Sequence, residues 1–295
     1  MVDGNALYDA DGGLLLVPQS GALRLCTEFG IIDIEPGEVA VVPRGVKIRV
    51  EALPAGPARN YLCENYGGAF TLPDRGPIGA NCLANPARLP HPGGGHEDRD
   101  NAVADMRQVR RRAVDTSSSI TRRSTSRGLA RQLRALQMRP AALFAGRSVL
   151  YDRRPVDLPA DLAVGDASTA NIDFVIFPDR WMVAENASVR RGAHMNVMSS
   201  SWGWSGNATS QPQGFVPGGF SLHNTMLPHG PDEQAFETAS NVALAPKKLE
   251  GTMAFMFETR FPQRVTHYAA TVEVRQDGYA KCGRHLRSTS TPKRP

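Results

Sequence analysis

The sequence predicts an all-β protein interrupted by an irregular, arginine-rich middle. Three observations carry this. Residues 6–72 break into short apolar runs separated by Pro/Gly turns, the pattern of a sandwich or barrel. The same pattern returns after Asn171. Between them, residues 101–155 hold thirteen arginines, no lysine and three acids, a net of +10 within a chain whose total is +5.

Taken in order, the apolar run Leu14-Leu15-Leu16-Val17 is followed by Pro18. A strand from Leu23 to Phe29 stops at Gly30. Ile31-Ile32-Asp33-Ile34 meets the turn Glu35-Pro36-Gly37-Glu38, and Val39-Ala40-Val41-Val42 stops at Pro43. Val46 to Val50 alternates apolar and polar, as a half-buried strand should. Residues 72–81 are too rich in Gly and Pro for a helix. Leu129, Leu133 and Leu136 are spaced for one helical face, so Leu129 to Leu143 is expected to form a short helix. Further strands are expected at Phe174-Val175-Ile176-Phe177, Gly251 to Thr259 and Val265 to Val274.

Composition bounds the function classes. With 295 residues, 41% of them hydrophobic, the chain can bury a sizeable core as one or two domains. No apolar run is long enough to span a membrane, so no membrane partner is expected. Met1-Val2-Asp3-Gly4-Asn5 does not read as a secretory signal. Cys26, Cys63, Cys82 and Cys282 form no CxxC pair, and a reduced cytoplasm fits them best. The arginine stretch reads either as a nucleic-acid arm or as a solvated charged face; it mixes in no lysine and offers only Phe144 and Tyr151 for stacking.

The chain carries seven histidines, at 91, 96, 194, 223, 229, 267 and 285. His223 and His229 share a Gly/Pro-rich loop, where binding groups concentrate on a rigid β scaffold. Two imidazoles and a carboxylate with open positions make the non-haem Fe(II) oxygenase pattern; the alternative is an ordinary surface histidine at each place. Asp232 and Glu233 follow His229 too closely to be preferred over solvated loop acids. The absence of GxSxG, P-loop and GxGxxG constellations argues against hydrolase, NTPase and Rossmann readings.

Longer motifs carry a resemblance. Thr27-Glu28-Phe29-Gly30, Leu72-Pro73-Asp74 through Ala80-Asn81, Leu83-Ala84-Asn85-Pro86, Asp173 to Pro178 with Arg180-Trp181, the 214–232 loop and Gly251 to Glu258 resemble homogentisate 1,2-dioxygenases. The resemblance covers about residues 6–88, 169–186, 194–199 and 213–282. It implies a cupin-like, jelly-roll barrel and Fe(II)-dependent cleavage of homogentisate by O₂ to maleylacetoacetate, in tyrosine and phenylalanine catabolism. It further implies subunits assembled in multiples of three, and an N-terminal β domain of which the early part is missing here.

Carried over by position, His194 and His229 match the family's two histidine iron ligands, and His223 and His229 match substrate-contacting positions. The family's glutamate ligand falls at position 200, where this chain has Ser200. The family's Trp-His-Gly-Asn loop, with its catalytic histidine, falls in the 125–135 region and is absent, so no catalytic base is assigned. Both departures lie in stretches that read as frameshifted. Ser199-Ser200-Ser201-Trp202-Gly203-Trp204, written TCG-AGT-TCA-TGG-GGC-TGG, gives Glu-Phe-Met-Gly-Leu from its third base, the family continuation. Arg127 to Phe144, from the second base, can give the missing Trp-His-Gly-Asn.

The expected organisation is therefore a remaining N-terminal β domain over 1–94, a divergent and poorly ordered arginine-rich region over 95–168, a catalytic cupin-like region over 169–283 and a basic tail over 284–295. The expected function is the dioxygenase reaction, impaired in this exact chain, with homogentisate and O₂ as partners and no nucleic acid. Two alternatives stand beside it: a non-catalytic remnant or β-fold binding protein, and a nucleic-acid binder acting through Arg107 to Arg154.

Overall fold

The computed structural model describes residues 6–54, 56–66, 68–70, 102–109, 112–120, 136–138, 169–177, 180–183, 194–206, 216–243, 245 and 247–281. The fold is all-β, as expected. Its strands are β1 (Ala6–Asp9), β2 (Gly13–Ser20), β3 (Ala22–Thr27), β4 (Gly30–Ile34), β5 (Val39–Val42), β6 (Ile48–Leu53), β7 (Arg59–Asn65), β8 (Ala102–Val109), β9 (Arg112–Ile120), β10 (Leu136–Met138), β11 (Ile172–Phe177), β12 (Arg180–Val183), β13 (Ser199–Gly206), β14 (Phe220–His223), β15 (Lys247–Leu249) and β16 (Thr252–Thr259). Two helices, α1 (Glu233–Asn241) and α2 (His267–Thr271), lie in the C-terminal part.

Three sheets stack. The first runs β4-β3-β6-β1-β8-β9, the second β10-β5-β2-β7 and the third β11-β16-β13-β14; β12 and β15 pair separately. The apolar run of β2 explains the stacking order. Leu14 and Leu16 face the first sheet and pack with Leu23, Leu25, Ile32 and Ile34. Leu15 and Val17 face the third and pack with Phe174, Ile176, Phe255 and Phe257. A strand buried on both faces needs a continuous rather than an alternating apolar run, which is why the sequence reads Leu-Leu-Leu-Val.

Pro18 does not end β2. The strand continues to Ser20 beside β7, with a register shift between Pro18 and Ser20, whereas its pairing with β5 covers only Leu14 to Leu16. Proline is tolerated there because it lies past the end of the β5 ladder and beside a register shift in the β7 ladder.

The irregular arginine-rich middle is corrected where the chain is described. β8 pairs parallel with β1, from Ala6↔Asp105 to Asp9↔Gln108, and antiparallel with β9 from Ala102↔Ile120 onward. Leu136–Met138 is strand β10 against Val39–Val41, not part of the helix expected over Leu129–Leu143; the rest of that span lies outside the described residues. Main-chain pairing onto an existing sheet edge supplies hydrogen bonds without strict side-chain alternation, so periodicity alone missed these strands. A second correction concerns Val265 to Val274. It contains α2 instead of a strand, because the Thr266 side chain caps the turn by accepting from Ala269 N at 3.1 Å.

Asp9, at the end of β1, is 3% exposed. Its Oδ1 accepts from the amides of Asp11 (3.1 Å) and Gly12 (2.9 Å). A Cβ on Gly12 would lie 2.6 Å from Asp9 Oδ2, so this turn has room only for glycine. Burial, and then the neighbouring Glu64 carboxyl, push the Asp9 carboxyl up to about 7. A carboxyl raised on folding binds its proton more tightly in the native state, so its contribution is full below the ordinary carboxylate range and is lost as pH rises through about 7. The unfolding free energy from urea titrations should accordingly fall between about pH 4 and 7 and level off above, with a slope of at most about 1.4 kcal/mol per pH unit. Asp9→Asn should flatten that slope. An equal slope in both proteins would remove Asp9 as its source.

Candidate functional site

The site is built on the third sheet. β13 lies between β16 and the edge strand β14, and its residue Ser200 is directly opposite His223 on one side and Glu258 on the other. Directly opposed residues of antiparallel strands project to the same face, so this register places a histidine, a serine and a glutamate in one row. Ser200 is 2% exposed and donates its hydroxyl to Glu258 Oε1 at 3.0 Å. Asn196 Nδ2 donates to the same carboxylate oxygen.

The loop after β14 brings His229 to His223, and His229 in turn pairs with His194, which precedes β13. Asn224 and Gln263 exchange two hydrogen bonds (Gln263 N to Asn224 Oδ1, 2.8 Å; Asn224 Nδ2 to Gln263 O, 3.2 Å), and Thr225 N donates to Ser199 Oγ at 3.1 Å. Met226 adopts φ 60°, a conformation that costs a non-glycine residue energy; its amide is held by Asn196 O at 2.8 Å. The chain then returns so that His194 and His229 form an isolated antiparallel bridge, with N···O distances of 2.8 and 3.0 Å.

Three imidazoles are thereby gathered. The rings of His194 and His229 are 4.3 Å apart, and those of His223 and His229 stack at 4.2 Å with 14° between planes. Burial, and then the adjacent imidazoles of His229 and His194, lower His223 to about 4, so it is neutral at physiological pH. His223 Nε2 lies 3.2 Å from Ser221 Oγ. His229 Nδ1 lies 2.9 Å from the Leu227 carbonyl, which can only accept, so Nδ1 carries a proton and Nε2 is the nitrogen left to serve as a ligand. That Nε2 is buried and has no hydrogen-bond partner among the described residues. An imidazole fixed by a carbonyl at one nitrogen, with the other bare, has the arrangement of a metal ligand.

The carboxylate side of the site does not match. Position 200 offers a neutral hydroxyl already donated to Glu258. Among the described residues, no three His, Cys, Asp or Glu side chains converge closely enough to hold a metal ion. The donor set thus fits the imidazole part of a two-histidine, one-carboxylate site and fails to complete it.

The structure brings together all three histidines that the sequence singles out for this site. Asp232 is placed in a structural role: it caps α1, accepting from Ala235 N at 2.7 Å. His267 begins α2, and His91, His96, His285 and the 125–135 region lie outside the described residues. Sequence reasoning missed Glu258 and Asn196 as neighbours of Ser200. Glu258 ends the Gly251 to Glu258 motif and Asn196 lies in the 194–199 stretch, but only the folded structure shows that they meet.

Fold and site together define an all-β protein with a partly buried imidazole cluster of metal-ligand type. The N-terminal-domain profile of homogentisate 1,2-dioxygenase matches residues 1–115, and the C-terminal-domain profile matches residues 158–290. The chain is 50% identical to homogentisate 1,2-dioxygenase of Nitrobacter hamburgensis over 319 residues, and 52% identical to that of Rhodopseudomonas palustris strain HaA2 over 315. These alignments cover 100% of this chain and 66% of each relative, so the chain spans just under two thirds of their length. A putative glyoxylate-induced protein from Pseudomonas aeruginosa superposes at TM-score 0.34 and 10% identity, covering 88% of this chain and 70% of that one, too distant a likeness for argument. The chain belongs to the homogentisate 1,2-dioxygenase family.

Proposed function

We propose that the reaction of this lineage is Fe(II)-dependent cleavage of homogentisate by O₂ to maleylacetoacetate, in tyrosine and phenylalanine catabolism, on a cupin-like scaffold. The exact chain is impaired in it. The observation that carries this reading is the gathering of His194, His223 and His229, with His229 Nε2 buried and unpartnered among the described residues, while Ser200, at the position of the family's glutamate, stands directly opposite His223. No catalytic step is assigned through iron, because the carboxylate is absent from this donor set.

In this reading the serine run and the arginine-rich middle are out-of-frame segments, and homogentisate contacts His223 and His229. The family background supports a cytoplasmic, trimer-based assembly. Among the described residues no helix is long and apolar enough to cross a membrane. The nucleic-acid and binding-protein readings are not favoured by the family match.

The test is repair. A chain with the coding frame restored across 100–168 and 187–212, extended to the length of its relatives, should bind one iron and consume O₂ with homogentisate. A folded, iron-loaded, repaired chain without turnover would contradict the proposed activity.

A further inference from the structure

Among the described residues β14 is an edge strand of four residues, paired with β13 alone, yet it carries His223 into the site. Short edge strands are marginal without added restraint. The restraint comes from β7, in the second sheet. Val216-Pro217-Gly218-Gly219 forms a tight turn immediately before β14, closed by Gly219 N to Val216 O at 2.8 Å, with Gly218 at φ +84°. Proline followed by a left-handed glycine is the type II turn pattern. Gly218 N is anchored on Trp204 O at 3.0 Å, and a Cβ on Gly218 would meet Arg59 Nη2 at 2.5 Å. Tyr61, two residues along β7, donates its hydroxyl to Gly219 O at 2.8 Å. Its ring rests edge-on against Phe255 at 4.8 Å and tilted against Phe220 at 5.9 Å.

We infer that Tyr61 is a positioning residue for the imidazole site: through the Gly219 carbonyl its hydroxyl holds β14 in the register that sets His223 against His229. The inference rests on the dioxygenase reading only for the identity of the ligand. The ring contacts fix where Tyr61 stands, and the single hydroxyl fixes where β14 begins. From there the pairs Phe220↔Gly203 through His223↔Ser200 deliver His223 to the row with Ser200.

Tyr61→Phe keeps the ring and removes only the donor. In the full chain, amide hydrogen exchange at Phe220 to His223 should accelerate about 5–10-fold. Exchange at Phe174 to Phe177 and Met253 to Phe257 should stay at the wild-type rate. The ¹⁵N shift of His223 Nε2 should move as well, since the stacking of its ring on His229 depends on strand register; general destabilisation alone would not move it. Unchanged exchange and an unchanged His223 shift would overturn the inference, as would a uniform loss of protection across both strand groups or global unfolding. Titration with homogentisate separates the two readings. Weaker binding by Tyr61→Phe than by wild type supports both. Equal binding by the two overturns the positioning role. If neither binds, as an impaired site allows, Tyr61 is judged on exchange and the His223 shift, and the dioxygenase reading is judged on the repaired chain.

Discussion

Phe255→Ala should lower the unfolding free energy by about 3–5 kcal/mol in urea titrations, the usual cost of removing a buried aromatic ring. That is a large part of the roughly 5–15 kcal/mol that holds a domain together. Phe255 is fully buried on the strand shared by β11 and β13. Its ring meets Tyr61 at 4.8 Å, Phe257 at 5.6 Å and Phe174 at 6.0 Å, joining the second sheet to the third. The space it fills lies over Gly203, its direct partner across the strands, where a Cβ would come within 2.2 Å of the ring. Gly203→Ala should therefore cost about 1–3 kcal/mol or more by overpacking. Combined with Phe255→Leu it should cost less than the sum, because the two changes share one space. A loss below about 1 kcal/mol for Phe255→Ala would show that the sheets are not held together through this ring.

The second large effect is on activity. With ferrous ion supplied, an oxygen electrode should register no homogentisate-dependent uptake by the unaltered chain above background. Loss of a general base typically costs about 10²–10⁴-fold, and the family's Trp-His-Gly-Asn loop is absent from this sequence. In the proposed reading Ser200 stands at the position of the family's glutamate, and a neutral hydroxyl there supplies neither charge nor a strong third ligand to the imidazoles. The family's N-terminal and C-terminal profiles still match, so the expected result is a dioxygenase framework with a defective site. Robust uptake by the unaltered chain, abolished by His229→Ala, would contradict the defect while leaving the family intact.

Much of this was legible in the sequence because burial dictates composition. The runs at Leu14 to Val17, Ile31 to Ile34, Val39 to Val42 and Phe174 to Phe177 all became strands, since each must present apolar side chains to a neighbouring sheet. Strands whose side chains carry less of the packing signal were missed. Arg59–Asn65 is mostly polar, β8 and β9 lie in the arginine-rich stretch, and the Ser199–Gly206 strand contains no aliphatic residue. The last of these reads as out of frame, yet it pairs with β16 over eight residues and stacks Trp202 on Phe177 at 5.1 Å. Serine, glycine and tryptophan can occupy a strand when their neighbours supply the pattern, a signal that one segment does not contain. The histidines were found because the loop motif marks them. The Ser200–Glu258 and Tyr61–Gly219 contacts depend on register and on sheet stacking, neither of which is written locally.

Iron content tests the central claim most directly: that this chain keeps the imidazole part of a ferrous site and lacks its carboxylate. Protein purified with Fe(II) present and then freed of loosely bound metal should carry far less than one iron per chain, and His229→Ala should leave that low value unchanged. One tightly held iron per chain in the unaltered protein, lost on His229→Ala, would contradict the account and require another group to have taken the place of the missing glutamate.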